Sequence, residues 1–376
     1  MGCNMRRKKG SFEDFFQRVM ETGKQVILYG AGVIGQVAAP YWITQYQLED
    51  RVICYVDADS CKQGQTVRMG NREIPICALS TLDEKCGQYI LLVTVSAFEP
   101  VAQALEQIPG TCNAEVYFLP IMLLDIAHAP KSGGVIKSSQ TQLIPKKIHY
   151  CWFGENSIPT ELQKCMDSWK RFCPDYEIVR WDESSYDIHK TPYMEQAYAH
   201  KKWGFVSDFA RLDILYQHGG IYLDTDVELL RNLDELLYQP AFCSIEKWGT
   251  IASGGGAGAQ AGNPVIKAML DFRSSFSFLR EDGAFNQTAC GYYETIPLLS
   301  MGLRLDGTTQ EIAGGMMTVY SSDFFLPFDY ISGKTNLTKN TFSIHHYSGS
   351  WLEENAAAER LKTRQCFETF RKTLED

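Results

Sequence analysis

The chain has 376 residues, more than one hydrophobic core usually supports, so two domains are expected. With 45% hydrophobic and 22% charged residues it reads as an ordinary globular protein, and a net charge of −9 argues against a broad nucleic-acid surface, which needs clustered Lys and Arg. The 12 cysteines contain no CxxC pair, which disfavours a zinc cluster and agrees with reduced thiols in a cytosolic setting.

The opening MGCNMRRKKG is basic, but no apolar run follows it, and Arg6 stands where a myristoylation signal needs Ser or Thr. It reads as a solvated tail, with peripheral contact to an anionic membrane as the alternative. No stretch reaches 18 apolar residues, so no membrane span is expected and the chain is read as cytoplasmic. Residues 1–22 then form this tail and a short helix with Phe12, Phe15, Phe16 and Val19 on one side.

KQVILYGAGVIGQVAAPYW follows, a run of strand formers and then Gly30, Gly32 and Gly35 in G-x-G-x-x-G spacing. This predicts a strand, a tight turn and a helix whose N-terminus offers N–H groups to an anion. A second strand, RVICYVDADS, ends near Asp57, where a dinucleotide domain places its ribose-binding acid. With the apolar strand QYILLVTVS and the helix FEPVAQALEQI, residues 23–126 are expected to form a small doubly wound α/β domain. Residues 127–143 are polar and small and read as a linker.

Residues 144–355 again alternate strands and helices: KKIHYCWFG, TELQKCMDSWKRFC, YEIVRWD, the helix GFVSDFARLDILYQHGG closed by Gly219, and the strand IYLDTDVELL. This predicts a second α/β domain, followed by a helix over 356–376.

Asp224 and Asp226 flank Thr225 at the end of an apolar run. Such acids can cap a turn's own backbone; held on a rigid scaffold, they also suit a hard divalent cation, Mn²⁺ or Mg²⁺. Asp208 and Arg211, one helical turn apart, make either a surface ion pair or a semi-buried pair that grips hydroxyls or a phosphate oxygen. FSIHHYSGSW supplies two imidazoles, hydroxyl donors and an aromatic plate, and Trp152 is either a core residue or a plate for a nucleobase.

Together IPKKIHYCWFG, SDFARLDILYQHGGIYLDTDV and HHYSGSW, over about residues 144–352, resemble the D-x-D glycosyltransferases of family 32. The resemblance implies a GT-A fold, a nucleotide-sugar donor, a divalent cation and retention of configuration; uracil is the expected base, with guanine as the alternative. The first α/β domain and the lack of a signal peptide or membrane span add the expectation of a saccharide or lipid-linked saccharide acceptor in surface-polysaccharide synthesis of the bacterial kind. Carried over residue by residue, Trp152 stacks on the base, while Asp208 and Arg211 contact the donor sugar. Asp224 lies on the ribose and metal side, Asp226 and His346 ligate the metal, and Ser350 and Trp351 lie over the diphosphate. The stretch 252–264, unusually rich in glycine, is expected to be a mobile loop lining the donor-sugar pocket.

The rival reading is a nicotinamide-dependent oxidoreductase or epimerase using Gly30, Gly32, Gly35 and Asp57. The first domain is short for that role and shows no Tyr-x-x-x-Lys couple, so NAD is not expected; it resembles small Rossmann-like modules attached to bacterial polysaccharide-biosynthesis proteins.

Overall fold

Branched apolar runs separated by amphipathic helices give two α/β units in the computed structural model, which describes residues 5–85, 87–154, 156–349 and 354–375. The first unit comprises the described residues of Met1–Ala129, Tyr330–Gly333 and Glu354–Asp376, and the second those of Pro130–Asp329 and Lys334–Glu353.

In the first unit the strands lie in the order Arg6–Arg7, Glu115–Phe118, Tyr89–Val93, Gln25–Tyr29, Val52–Val56, Arg72–Cys77 and Thr66–Met69. All neighbours are parallel except the last pair, which is a hairpin. Tyr89–Val93 is buried along its whole length, as a parallel strand covered on both faces must be. The helix Phe12–Thr22 starts at a capping box between Ser11 and Asp14 and stops at Gly23, whose φ of 63° is left-handed.

The helix Glu354–Lys372 belongs to this same unit: Phe370 packs on Phe98 and Phe118, with ring centroids 4.7 and 5.0 Å apart. Just beyond it, the Glu375 N–H donates to Arg7 O (2.7 Å) and Glu375 O accepts from Lys9 N–H (2.6 Å).

The glycine turn forms, but its contacts are internal. Gly30 has φ +101°, and a Cβ on Gly35 would lie 2.1 Å from Gly30 O, so only glycine lets the helix approach the turn this closely. A Cβ on Gly32 would meet nothing within 4 Å. Asp57, expected at a ribose, is engaged by its own loop and the glycine turn. Its Oδ2 accepts from Ala31 N–H (2.7 Å) and Lys62 Nζ (3.2 Å), and its Oδ1 accepts from Asp59 N–H (2.9 Å). These bonds and the Lys62 charge outweigh burial and hold the carboxyl below its usual range. The acid that a dinucleotide site would offer is tied to its own chain.

The second unit has a mixed seven-stranded sheet, in the order Gln310–Ile312, Met317–Tyr320, Ala241–Ser244, Ala257–Ala259, Gly220–Tyr222, Lys147–Cys151 and Glu177–Trp181. Its core gathers Ile148, Trp169, Ile221, Leu223, Phe242, Tyr320 and Phe325. The helix Trp203–His218 buries Phe205, Phe209 and Leu212 and ends at Gly219 (φ 63°), where a Cβ would strike the backbone of Ala259 and Ala261 at 2.9 and 2.8 Å. No helix among the described residues is long and apolar enough to cross a membrane.

Three expectations change here. Residues 135–144 are no free linker: Ser139 N–H donates to Tyr238 O (2.9 Å) and Leu143 N–H to Leu237 O (2.9 Å), and Val135 packs on the core. The glycine stretch is not a mobile loop either; Ser253–Gly255 is a buried 3₁₀ turn and Ala257–Ala259 a buried strand inside the sheet. Lastly, IYLDTDVELL is not one strand. Gly220–Tyr222 belongs to the large sheet, whereas Val227–Leu229 pairs antiparallel with Ser343–His345 in a two-stranded sheet. The two aspartates occupy the corner between them, closed by Val227 N–H donating to Asp224 O (3.0 Å).

Candidate metal and donor site

The corner is built from three directions. Strand alternation puts Tyr222 and Asp224 on one side, and the buried Tyr222 hydroxyl donates to Asp224 Oδ1 (3.1 Å). Asp224 N–H donates to Gly254 O (2.8 Å), so the glycine turn fixes the backbone of the first acid. A side chain at Gly254 would sit 2.1 Å from Asp224 Oδ2 and 2.4 Å from Arg211 Nη1, which is why this wall is glycine.

From the helix below, Arg211 reaches up with only 4% of its surface exposed. Its Nη2 is paired with Asp208 Oδ1, its Nη1 lies 3.7 Å from Asp224 Oδ2, and its guanidinium stands 5.4 Å from the Tyr222 ring. Burial opposes the charge, but the flanking carboxylates more than offset it and keep the guanidinium protonated.

The third direction is the strand Ser343–His345. Its register sets Val227 opposite His345, and the side chain of His345 reaches Asp226 with Nε2 3.1 Å from Oδ1. Tyr347, at φ 49°, then turns the chain so that Ser348 N–H and Oγ–H both donate to Asp226 Oδ2 at 2.8 Å. Asp226 is 8% exposed; burial favours its neutral form, yet His345 and the two Ser348 bonds win and pull its pKa far below the usual carboxylate range. Reciprocally, burial disfavours a charged His345, and the two aspartates outweigh it and raise its pKa.

Among the described residues Asp224, Asp226 and His345 bring one ligand atom each within 4.8 Å of one another. Around a single divalent ion with bonds of about 2.1 Å, ligand atoms lie at most ~4.2 Å apart. Two carboxylate oxygens and an imidazole nitrogen at nearly this spacing fit such an ion. His346, expected as the ligand, is not in this group. The half-exposed His346 ring instead meets Glu228, Nε2 to Oε2 3.0 Å. Counting back from Trp351 selects His346, whereas the ring that meets both aspartates among the described residues is that of its neighbour His345.

Trp152 stands just past the strand Lys147–Cys151, partly buried against the domain core, with its indole N–H donating to Asn156 O (2.7 Å). Ser350 and Trp351 lie outside the described residues.

Sequence reasoning passed over two supports. Glu294, fully buried in the helix Cys290–Leu299, accepts from Ser253 N–H (3.0 Å) and Oγ–H (2.7 Å) and so anchors the turn that carries Gly254; burial raises its pKa. Arg273, fully buried in the helix Pro264–Ser274, reaches Asp208 Oδ2 at 3.5 Å. Neither lies in a recognisable motif.

The paired acids of this corner are the Asp-Thr-Asp of a DXD motif, which a family comparison matches. Residues 159–243 match the glycosyltransferase sugar-binding region that contains the DXD motif. The chain is 40% identical over 111 residues to inositol phosphoceramide mannosyltransferase 3 of Schizosaccharomyces pombe, which covers 28% of this chain and 31% of the yeast protein. It is 30% identical over 155 residues to an uncharacterized glycosyltransferase of Acanthamoeba polyphaga mimivirus, covering 39% of this chain and 60% of the viral protein. A mannosyl phosphorylinositol ceramide synthase of Saccharomyces cerevisiae is 38% identical over 109 residues, 27% of each chain. The chain thus spans from about a quarter to three fifths of the length of these relatives. Among solved structures, the PaToxG glycosyltransferase aligns with a TM-score of 0.36 and 19% identity over 48% of this chain and 74% of that one. The DXD sugar-binding region therefore contains the whole acidic corner and the Asp208–Arg211 helix, whereas His345 and Arg273 lie outside the matched residues.

Proposed function

We propose that the second unit is a metal-dependent glycosyltransferase that moves a hexose from a nucleoside diphosphate sugar to a hydroxyl of a saccharide or lipid-linked acceptor, with retention at the anomeric carbon. The observation that carries this is the convergence of Asp224, Asp226 and His345 beside the buried Asp208–Arg211 pair, of which the three acids and Arg211 lie inside the segment that matches the sugar-binding region. Cations offset the repulsion between an acidic chain and a diphosphate, and here both a candidate cation-binding triad and a buried guanidinium meet at one corner. The mannosyltransferase relatives favour mannose among the hexoses, and their lipid acceptors favour a polyol head group over a protein.

A divalent cation held by Asp224, Asp226 and His345 would neutralise charge as the diphosphate leaves. Asp208 and Arg211 orient the donor sugar. The bond from the anomeric carbon to the diphosphate breaks, the acceptor oxygen bonds to that carbon on the same face, and the acceptor proton passes to a diphosphate oxygen. The engaged oxygens of Asp57 weigh against the redox alternative, which needs that acid for a ribose.

The test is a screen of UDP- and GDP-sugars for hydrolysis with and without Mn²⁺. One donor should be hydrolysed only with the metal, and Asp226→Ala should lower its rate on the order of 10²–10³-fold at unchanged circular dichroism. Near-normal turnover by that variant in excess Mn²⁺ overturns the assignment.

A further inference from the structure

Asp208 is gripped twice. Arg211, one helical turn away, takes Oδ1; Arg273, from the helix Pro264–Ser274, approaches Oδ2 at 3.5 Å. The second guanidinium is 0% exposed and lies between two phenol rings, 4.9 Å from Tyr193 and 4.5 Å from Tyr293, with Nη2 donating to the Tyr193 hydroxyl at 3.2 Å. Its Nε and Nη1 have no hydrogen-bond partner among the described residues. A buried cation with orphaned donors is costly to keep, since each buried unpaired donor carries a desolvation penalty. Packing alone would be better served by Met or Leu.

The charges alternate: Arg273, Asp208, Arg211, Asp224. Asp208 has the lone accessible side chain of the first three, 14% exposed against 0% for Arg273 and 5% for Arg211. With Arg273 removed, Asp208 and Asp224 would share one guanidinium, and the corner would carry one more uncompensated negative charge facing an anionic donor. Asp208 would also be held through Oδ1 by Arg211 alone, with one of its two anchors gone.

Resting on the proposed transferase reading, we infer that Arg273 is a positioning residue for the donor: it fixes the Asp208 carboxylate and cancels its charge, leaving Arg211 to serve Asp224 and the diphosphate side. Only Nη2 is engaged, so a lysine, with one ammonium, meets the same requirement.

The experiment compares wild type, Arg273→Met and Arg273→Lys in Mn²⁺-dependent hydrolysis of the donor found by the screen, with calorimetric titration of the same donor and thermal unfolding alongside. Arg273→Met should raise KM and the donor Kd roughly ten- to a hundredfold, the scale of a lost charge-assisted bond, and Arg273→Lys should return both to within about threefold of wild type. A merely structural lesion instead lowers kcat, through a smaller active fraction, at unchanged KM. A folded Arg273→Met with wild-type KM overturns the inference. If Arg273→Met does not fold, Arg273→Lys decides: KM within about threefold supports the charge role, and a tenfold rise at unchanged melting temperature overturns it. A wild type that neither binds nor hydrolyses any nucleotide sugar overturns the reading of the site itself, and this inference with it.

Discussion

His345 and His346 are chemically identical neighbours with different surroundings. His345 is enclosed beside Asp226, and His346 is half exposed beside Glu228. His345→Ala should weaken Mn²⁺ binding at least about tenfold, the loss of one ligand atom, while His346→Ala should leave it within about twofold; titrating Mn²⁺ into each variant checks this. Equal effects would return the metal site to the spacing argument. The contrast marks what one sequence discloses at this scale. Asp208, Arg211, Asp224 and Asp226 are legible because each lies within two helical turns or two strand positions of a partner. His345, Glu294 and Arg273 come from segments more than 40 residues from the groups they support, Asp226, Ser253 and Asp208, and only folding sets those distances.

The strand Lys147–Cys151 shows an element shaped by a buried base. His149 is 1% exposed; its Nδ1 accepts from the Trp181 indole (3.1 Å), so its Nε2–H donates to Gly219 O (2.8 Å). That tautomer is neutral, and burial pushes the pKa from 6.5 to about 4. The unfolded chain takes up this proton as pH falls through 6.5, whereas the folded chain resists until about 4, so stability is full above 6.5 and is lost on acidification. Over that window the loss reaches about 3 kcal/mol. Urea midpoints measured from pH 7 to 4 should fall for wild type, and His149→Gln should flatten that part of the slope.

The corner is also where periodicity misleads at this scale. IYLDTDVELL has the composition of one strand, and the break at Leu223–Asp226 follows from turn bonds and from pairing with Ser343–His345, a partner more than 100 residues away. The stretch 252–264 misleads in the opposite direction. Its glycines suggest mobility, yet each at 254–258 is a close approach: a Cβ on Gly255 would lie 2.2 Å from Leu326, and one on Gly258 2.4 Å from Phe242. Composition does not distinguish a glycine that moves from one that is crowded.

Two α/β units were readable from the alternation of strands and helices, but the allocation of the last helix was not. Phe367 and Phe370 are 2% and 1% exposed because Phe98 and Phe118 receive them. Phe370→Ala should cost the first unit about 3–5 kcal/mol, the usual scale for emptying a buried aromatic site. Scanning calorimetry should show one transition moving to lower temperature while the other stays.

That allocation orders events during synthesis. A ribosome releases the seven strands of the Rossmann-like unit early, but the helix over 354–372 that seals Phe98 and Phe118 emerges only after the whole DXD-bearing unit. Translation at roughly 5–20 residues per second leaves the first unit without that cover for on the order of 10–40 seconds. The second unit waits as well: Phe342 of its core and the strand Ser343–His345, which pairs with Val227–Leu229, emerge more than 100 residues after that earlier strand, so both units close on segments made near the end of the described chain.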